Sequence, residues 1–278
     1  RVTAGAAAEV GIPAGVPVVA GLVDAFASFH GAGMLEAGDA IDVGGAAGGF
    51  GVYWDRPVHA AGGFTTPAPL AGRWSVGAAM AATGSALDWL ATDVLAGAAS
   101  VEQLIAEASA VPPGADGLVF LPYLAGERSP LWDPEARGLL AGLTLAHGRA
   151  HVARAVLEAA ALAIRHVAEP MLETGVRVGT MRVCGGPAHS DTWNRIKADV
   201  TGFEVGVPRV LETTVLGAAI VAAVGVGLRP DLPSAIRAMT SLERRIQPDP
   251  STRAAYDATY AAYRQLYPAI APVLRAAA

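Results

Sequence analysis

The chain has one cysteine, Cys184, so no internal disulfide can form and no thiolate cluster can hold a metal. A reducing, cytoplasmic compartment suits such a protein, and the expected role of the thiol is strand packing. Charge is scarce as well: 16% of 278 residues are charged, with 20 basic against 25 acidic side chains and a formal net charge of -5. No cationic block follows a nucleic-acid backbone or grips an anionic membrane surface, so neither partner is expected. Long apolar runs are missing too. The stretch 211–228, uncharged apart from Glu212, is interrupted by Gly217, Gly225 and Gly227 and reads as a buried helix rather than a membrane span. The opening RVTAGAAAEVGIPAG has one arginine and no continuous apolar core, unlike a secretory signal. It also has no initiator methionine, and the expectation is a piece of a longer protein.

Several catalytic signatures are absent. The glycine run Gly44–Gly49 is followed by no Gly-Lys-Ser/Thr, so it is not a Walker A loop; no helix follows it directly, so it is not a dinucleotide fingerprint. No G-x-S-x-G marks a serine hydrolase, and none of the histidines at 30, 59, 147, 151, 166 and 189 belongs to an H-E-x-x-H pair. Each histidine is expected at the surface or at a helix cap.

What is present is most informative in residues 181–203, MRVCGGPAHSDTWNRIKADVTGF. An apolar strand stops at Gly185-Gly186 and a helix begins near Ser190, with Trp193, Ile196 and Val200 on one face and Gly202 as the stop. A strand that turns on glycines into a helix N-terminus can seat phosphate or nucleotide, because the first helical N–H groups lack partners and glycine permits close approach. It can equally be a plain structural turn. Upstream, residues 16–23 read as a buried strand and 26–34 as a short helix. Residues 40–43 and 50–54 read as two strands of an antiparallel meander around the glycine run. Residues 57–72 form a Pro/Gly-rich crossing, and 76–95 read as a helix with Met80, Leu87, Leu90 and Val94 inward. A strand at 118–121 leads into an irregular loop. A helix over 151–174 ends or kinks near Pro170, a strand covers 205–208, and a buried helix covers 217–224. The last helix, 251–266, carries Tyr256, Tyr260 and Tyr263 as packing residues. Strands first, then alternating helices and strands, predict a mixed α/β domain with helices on both faces of its sheet.

Asp24 follows the apolar run 16–23 with no basic neighbour in sequence, which suits a general base; capping the helix that starts near Phe26 is the alternative, and both roles can coexist. The run Gly44–Gly49 cradles phosphate with main-chain N–H groups or forms only a hairpin turn. Glu127 and Arg128 make a local ion pair, with a structural or interface role for Arg128 favoured over phosphate contact.

These pieces in this order resemble the C-terminal lobe of the FGGY carbohydrate kinases, with a xylulokinase-like flavour. GLLAGLTLAHGRAHVARAVLE, residues 138–158, looks like the family signature, and LPYLAGERSPLWDPEARG, GGPAHSDTWNRIKADVTG and LGAAIVAAVGVG look like family segments, so the resemblance covers about residues 11–270. It implies a ribonuclease-H-like lobe of the actin/hexokinase ATPase type, α/β with a mixed sheet. ATP and Mg would lie in a cleft shared with an N-terminal sugar-binding lobe, and a pentulose or related polyol would be phosphorylated. By resemblance Asp24 is the catalytic base, Gly45 and Ala46 lie on a phosphate turn, Gly77 is a nucleotide-side glycine, and Gly185, Gly186 and Ser190 form the adenosine turn. The chain departs from the family where Gly45-Ala46-Ala47 stands for the usual threonine or serine, and where Pro187 stands for a third glycine. The implied organisation is a residual inter-lobe connection over 1–15 and the ATP-binding lobe over 16–278. The N-terminal lobe is missing, the chain alone has little or no activity, and a homodimer is left open. A non-catalytic nucleotide-binding or interaction module of the same fold is the competing expectation.

Overall fold

The computed structural model describes residues 1–277. The chain opens with Ala4–Val10 (α1), which Thr3 caps by accepting from the Ala6 N–H, and after an extended crossing forms Asp24–Gly31 (α2). Four strands follow: Ala40–Gly44 (β1), Gly48–Trp54 (β2), Phe64–Pro67 (β3) and Trp74–Met80 (β4). Ser85–Trp89 (α3) continues through one widened turn, Leu90–Val94, and Val101–Ala108 (α4) comes next. Val119–Leu121 (β5) and Leu139–Ala141 (β6) pair as a small separate ribbon before the long helix Arg149–Glu173 (α5). The remainder is Thr180–Cys184 (β7), Asp191–Thr201 (α6), Glu204–Pro208 (β8), Thr213–Gly225 (α7), Leu232–Met239 (α8), Leu242–Ile246 (β9) and Arg253–Ala277 (α9).

The main sheet runs β3-β4-β2-β1-β7-β8-β9. Its first four strands are antiparallel, β1, β7 and β8 are mutually parallel, and β9 returns antiparallel. One face packs on α2, α7 and α8 through Phe29, Ile41, Tyr53, Ile220 and Ile236. The other packs on α5 and α6 through Phe50, Val76, Ile164, Val167, Val183 and Ala198. Beyond α5 a third apolar cluster joins α3, α4, β5, α6 and α9, and includes Tyr256, Tyr260 and Tyr263, the stripe expected to pack. Within it Glu158 accepts from Arg154, Tyr256 and the Gly114 N–H, tying α5 to α9. The expected α/β architecture with helices on both faces is what the chain adopts.

Several local expectations fail, each for a stated reason. Residues 16–23 form no strand: both edges of β1 are taken by β2 and β7, and the segment runs extended with Val18 69% and Val23 63% exposed. The helix expected over 76–95 starts only at Ser85, because 74–80 is a sheet strand between β2 and β3; the apparent helical spacing of Met80 with Leu87 mixes a strand residue with a helical one. The crossing at 57–72 holds β3. Helix α5, by contrast, does end near Pro170, at Glu173; proline this near the C-terminus removes one backbone bond while Val167, Ala168 and Met171 remain buried. Helix α7 is half exposed, with Val215 68% accessible and only Thr213, Gly217 and Ile220 buried. His30 is fully buried rather than superficial, and neither ring nitrogen has a hydrogen-bond partner.

Helices α2 and α7 touch backbone to backbone. A Cβ on Gly217 would lie 1.8 Å from the Ala27 carbonyl oxygen, and one on Gly31 1.8 Å from that of Thr213. Gly217→Ala is therefore expected to lower unfolding free energy by about 2–4 kcal/mol in urea titration, whereas Gly21→Ala, where a methyl meets open space, is expected to be near neutral.

Burial lowers the pKa of His30 from 6.5 to about 4, and burial followed by the Arg264 charge does the same to His166. Both are neutral in the fold while the unfolded chain protonates near 6.5, so their contribution is complete above about 6.5 and is lost as pH falls toward about 4. The urea midpoint is expected to drop between pH 7 and 4.5, and His30→Leu to flatten part of that drop.

Candidate functional site

Parallel strands β1 and β7 end side by side, with Val43 opposite Cys184, and each runs directly into glycines. After β1 the chain bends through Gly45 and Ala46. After β7 it bends through Gly185 and a short turn, Gly186–His189, before α6 begins. The two bends interlock. Gly185 has φ +75°, and a Cβ there would lie 1.8 Å from the Gly44 carbonyl oxygen, so only glycine fits. The first bend is pinned to the start of α3: the Gly84 N–H donates to the Gly45 carbonyl at 3.0 Å and the Ser85 N–H to the Ala46 carbonyl at 3.2 Å. A Cβ on Gly84 would meet that Gly45 oxygen at 2.2 Å.

The second bend is held from behind. Ser190 is the N-cap of α6, its hydroxyl accepting from the Trp193 N–H at 3.1 Å, and Gly202 closes the helix in the left-handed conformation. Trp193 Nε1 donates to the Leu157 carbonyl at 3.1 Å, which fixes the indole against α5. Asn194 donates to the Ala188 carbonyl at 2.8 Å. The strand, glycine bend, N-cap and stop read from residues 181–203 are all present.

Between the bends lies a cavity of about 580 Å³, within the range of a small-molecule site. Gly45, Ala46 and Gly84 wall one end; Gly186, Pro187, His189 and Ser190 wall another; Leu87, Val101, Ile105 and Trp193 supply an apolar slot, with Asp88 and Glu102 at its rim. Main-chain groups at one end and an apolar slot at the other suit a ligand with an anionic tail and a flat apolar body. The slot was not anticipated from the sequence, although α4 carries a usable signal. Ser100 and Gln103 form a capping box, with the Ser100 hydroxyl 3.2 Å from the Gln103 N–H and the Gln103 amide oxygen 2.8 Å from the Ser100 N–H.

Of the residues singled out beforehand, Gly45, Ala46, Gly186 and Ser190 come together on this cavity. Gly185 lies just behind it as the interlock. Gly77 does not line it: it sits inside β4 opposite Gly51, beneath the Phe64 ring, where strand pairing needs a small residue. Asp24 is outside the cavity as well. It begins α2 rather than ending a strand, is exposed, and its Oδ1 accepts from the Ala25 N–H at 2.7 Å. One turn on, Ser28 Oγ lies 2.7 Å from Thr213 Oγ1 and 3.5 Å from Cys184 Sγ, at the end of β7. His30 and Phe29 face Tyr53, whose N–H bonds to Asp39 just before β1 starts. Helix α2 thus descends from the carboxyl edge of the parallel strands to their amino edge, which puts Asp24 on the edge where both bends sit. In the loop, Glu127 is buried and accepts from the Ala81 and Arg128 N–H groups, and Arg128 donates to the Met80 carbonyl, a structural arrangement.

The model of the FGGY family of carbohydrate kinases, C-terminal domain, matches residues 43–226. The xylulose kinase of Escherichia coli strain K12 is 33% identical over 274 residues, 93% of this chain and 54% of that protein. A glycerol kinase of Citrifermentans bemidjiense is 39% identical over 168 residues, 59% of this chain and 33% of that protein. Among solved structures, the xylulose kinase from Rhodospirillum rubrum matches with a TM-score of 0.85 at 36% identity, covering 98% of this chain and 55% of that one. The chain belongs to the FGGY family of carbohydrate kinases and carries its C-terminal domain, with the actin- and hexokinase-like fold of that family. It spans about half the length of the xylulose kinases it matches.

The Ser190 cap is a local support of the second bend. Ser190→Ala is expected to cost about 1 kcal/mol of stability by thermal or urea unfolding, through loss of the side-chain cap on the first turn of α6.

Proposed function

We propose that this chain is the nucleotide-binding half of an ATP-dependent sugar kinase that transfers the γ-phosphate of ATP to a hydroxyl of a pentulose or related polyol. The observation that carries the reading is the cavity walled by both glycine bends, with the exposed carboxylate of Asp24 on the same sheet edge. In this reading the adenine ring fills the slot of Leu87, Val101, Ile105 and Trp193, while the phosphates run past Gly186 toward the Gly45-Ala46 bend. Asp24 accepts the proton of the sugar hydroxyl as its oxygen bonds to the γ-phosphorus and the bond to ADP breaks. Phosphoryl transfer of this kind depends on positioning and on charge stabilisation more than on covalent chemistry by the protein.

Among the described residues no three His, Cys, Asp or Glu side chains converge. A magnesium ion carried by nucleotide phosphates needs at most one or two carboxylates from the protein, so the lack of such a cluster is no obstacle to it. Such an ion would neutralise charge on the transferring group. A pentulose is favoured because the similarity to xylulose kinases covers nearly the whole chain, while that to the glycerol kinase covers 59% of it. Residues 1–15 then serve as a connection between lobes and 16–278 as the ATP-binding lobe. The sugar contacts come from an N-terminal lobe of the same protein, and the chain alone turns over little or no substrate. The missing hydroxyl at Ala46 favours a second reading, a nucleotide-binding module without catalysis.

In a full-length protein carrying this chain, Asp24→Asn is expected to lower kcat by about 10²–10⁴-fold while leaving ATP affinity unchanged. Steady-state kinetics with a pentulose panel, beside a binding titration with ATP, checks both halves of that statement. Undiminished turnover in the variant would remove Asp24 from the chemistry.

A further inference from the structure

The chain contains a single lysine, Lys197, on α6, and it is 2% exposed. Its ammonium group bonds to the carboxylate of Asp42 on β1, itself 3% exposed, and lies 5.3 Å from the centre of the Trp193 ring. A buried ion pair is poor evidence for stability, since two apolar side chains of similar size commonly serve a core as well. Its position is more telling. Asp42 stands two residues before the end of β1, directly ahead of the Gly45-Ala46 bend. A void of about 10 Å³, room for roughly one water, separates the pair from the large cavity, and Gly84, Pro187 and Trp193 belong to the walls of both. The void is also lined by Thr83.

The cavity itself offers little to balance an anion. Its lining contains no lysine or arginine but two carboxylates, Asp88 and Glu102. The bend carries no hydroxyl, and the Gly84 and Ser85 N–H groups at the start of α3 are already spent on the Gly45 and Ala46 carbonyls. Charge behind a thin, water-poor wall acts at low effective dielectric and is therefore felt strongly. We propose that the Asp42–Lys197 pair sets the charge beneath the phosphate bend, Lys197 being the positioning residue that determines how strongly the cavity prefers a nucleoside diphosphate to the bare nucleoside. The inference rests on the nucleotide reading of the cavity.

The pair predicts effects of opposite sign. Lys197→Met leaves a carboxylate under the bend and should lower the ratio of ADP affinity to adenosine affinity by about tenfold. Asp42→Asn leaves an ammonium group there and should raise that ratio by a similar factor, with adenosine affinity nearly constant in both variants. The combined substitution Asp42→Asn with Lys197→Met should fall between the two. The measurement is calorimetric titration of the chain with ADP and with adenosine, folding being checked by circular dichroism. If Lys197→Met does not fold, the other two variants decide. A ratio unchanged within about twofold in Asp42→Asn overturns the inference, as does a shift of the same sign in both single variants, which a purely structural role would give. A wild-type chain that binds neither compound instead overturns the nucleotide reading, and the inference with it. Wild-type ADP binding with unresponsive variants overturns the inference alone.

Discussion

The site depends on one steric constraint, the approach of two backbones with no side chain between them. The carbonyl of Gly44 occupies the place where a Cβ of residue 185 would stand, and the carbonyl of Gly45 does the same at residue 84. Two strand ends, a helix start and a cavity wall are thereby locked to one another through main-chain atoms. Main-chain atoms carry no rotamer freedom, so the N–H groups of such bends are organised before any ligand arrives. The hydrogen bonds from Gly84 and Ser85 then hold the first bend at a fixed height above the sheet.

The layers on either side of the sheet divide the work. On one face α5 anchors Trp193 and supports α3 and α4, from which the apolar slot is built. On the other face the close α2–α7 contact and the Ser28, Thr213 and Cys184 cluster set the height of α2 and hence of Asp24. The Asp24 carboxylate and the apolar slot are therefore positioned by independent contacts that meet only at the sheet edge. Substitutions on one face need not disturb the other.

Much of this was legible because the signals were local. Glycines after an apolar strand, a serine N-cap and a glycine stop each act within a few residues, and the segment 181–203 folds as those signals dictate. The hairpin around the run Gly44–Gly49 is legible for the same reason. Residues 16–23 and 74–80 were not, because strand formation needs an available neighbour. An apolar run beside a strand with both edges occupied stays unpaired, while an alanine-rich segment with neighbours on both sides is drawn into the sheet. The apolar slot combines Leu87, Ile105 and Trp193 from three helices whose convergence no local pattern encodes. Lys197 belongs to the same class: on a helical wheel it is an ordinary polar residue, and only the strand opposite makes it a buried partner of Asp42.

The burial of that lone lysine has a practical side. Every other cationic side chain of the protein is an arginine, so its folded surface presents no side-chain primary amine within the described residues. A lysine-specific protease or an acylating reagent meets its target there only when α6 lifts away from β1. Attack at this position consequently times the opening of α6, with no label or engineered probe required.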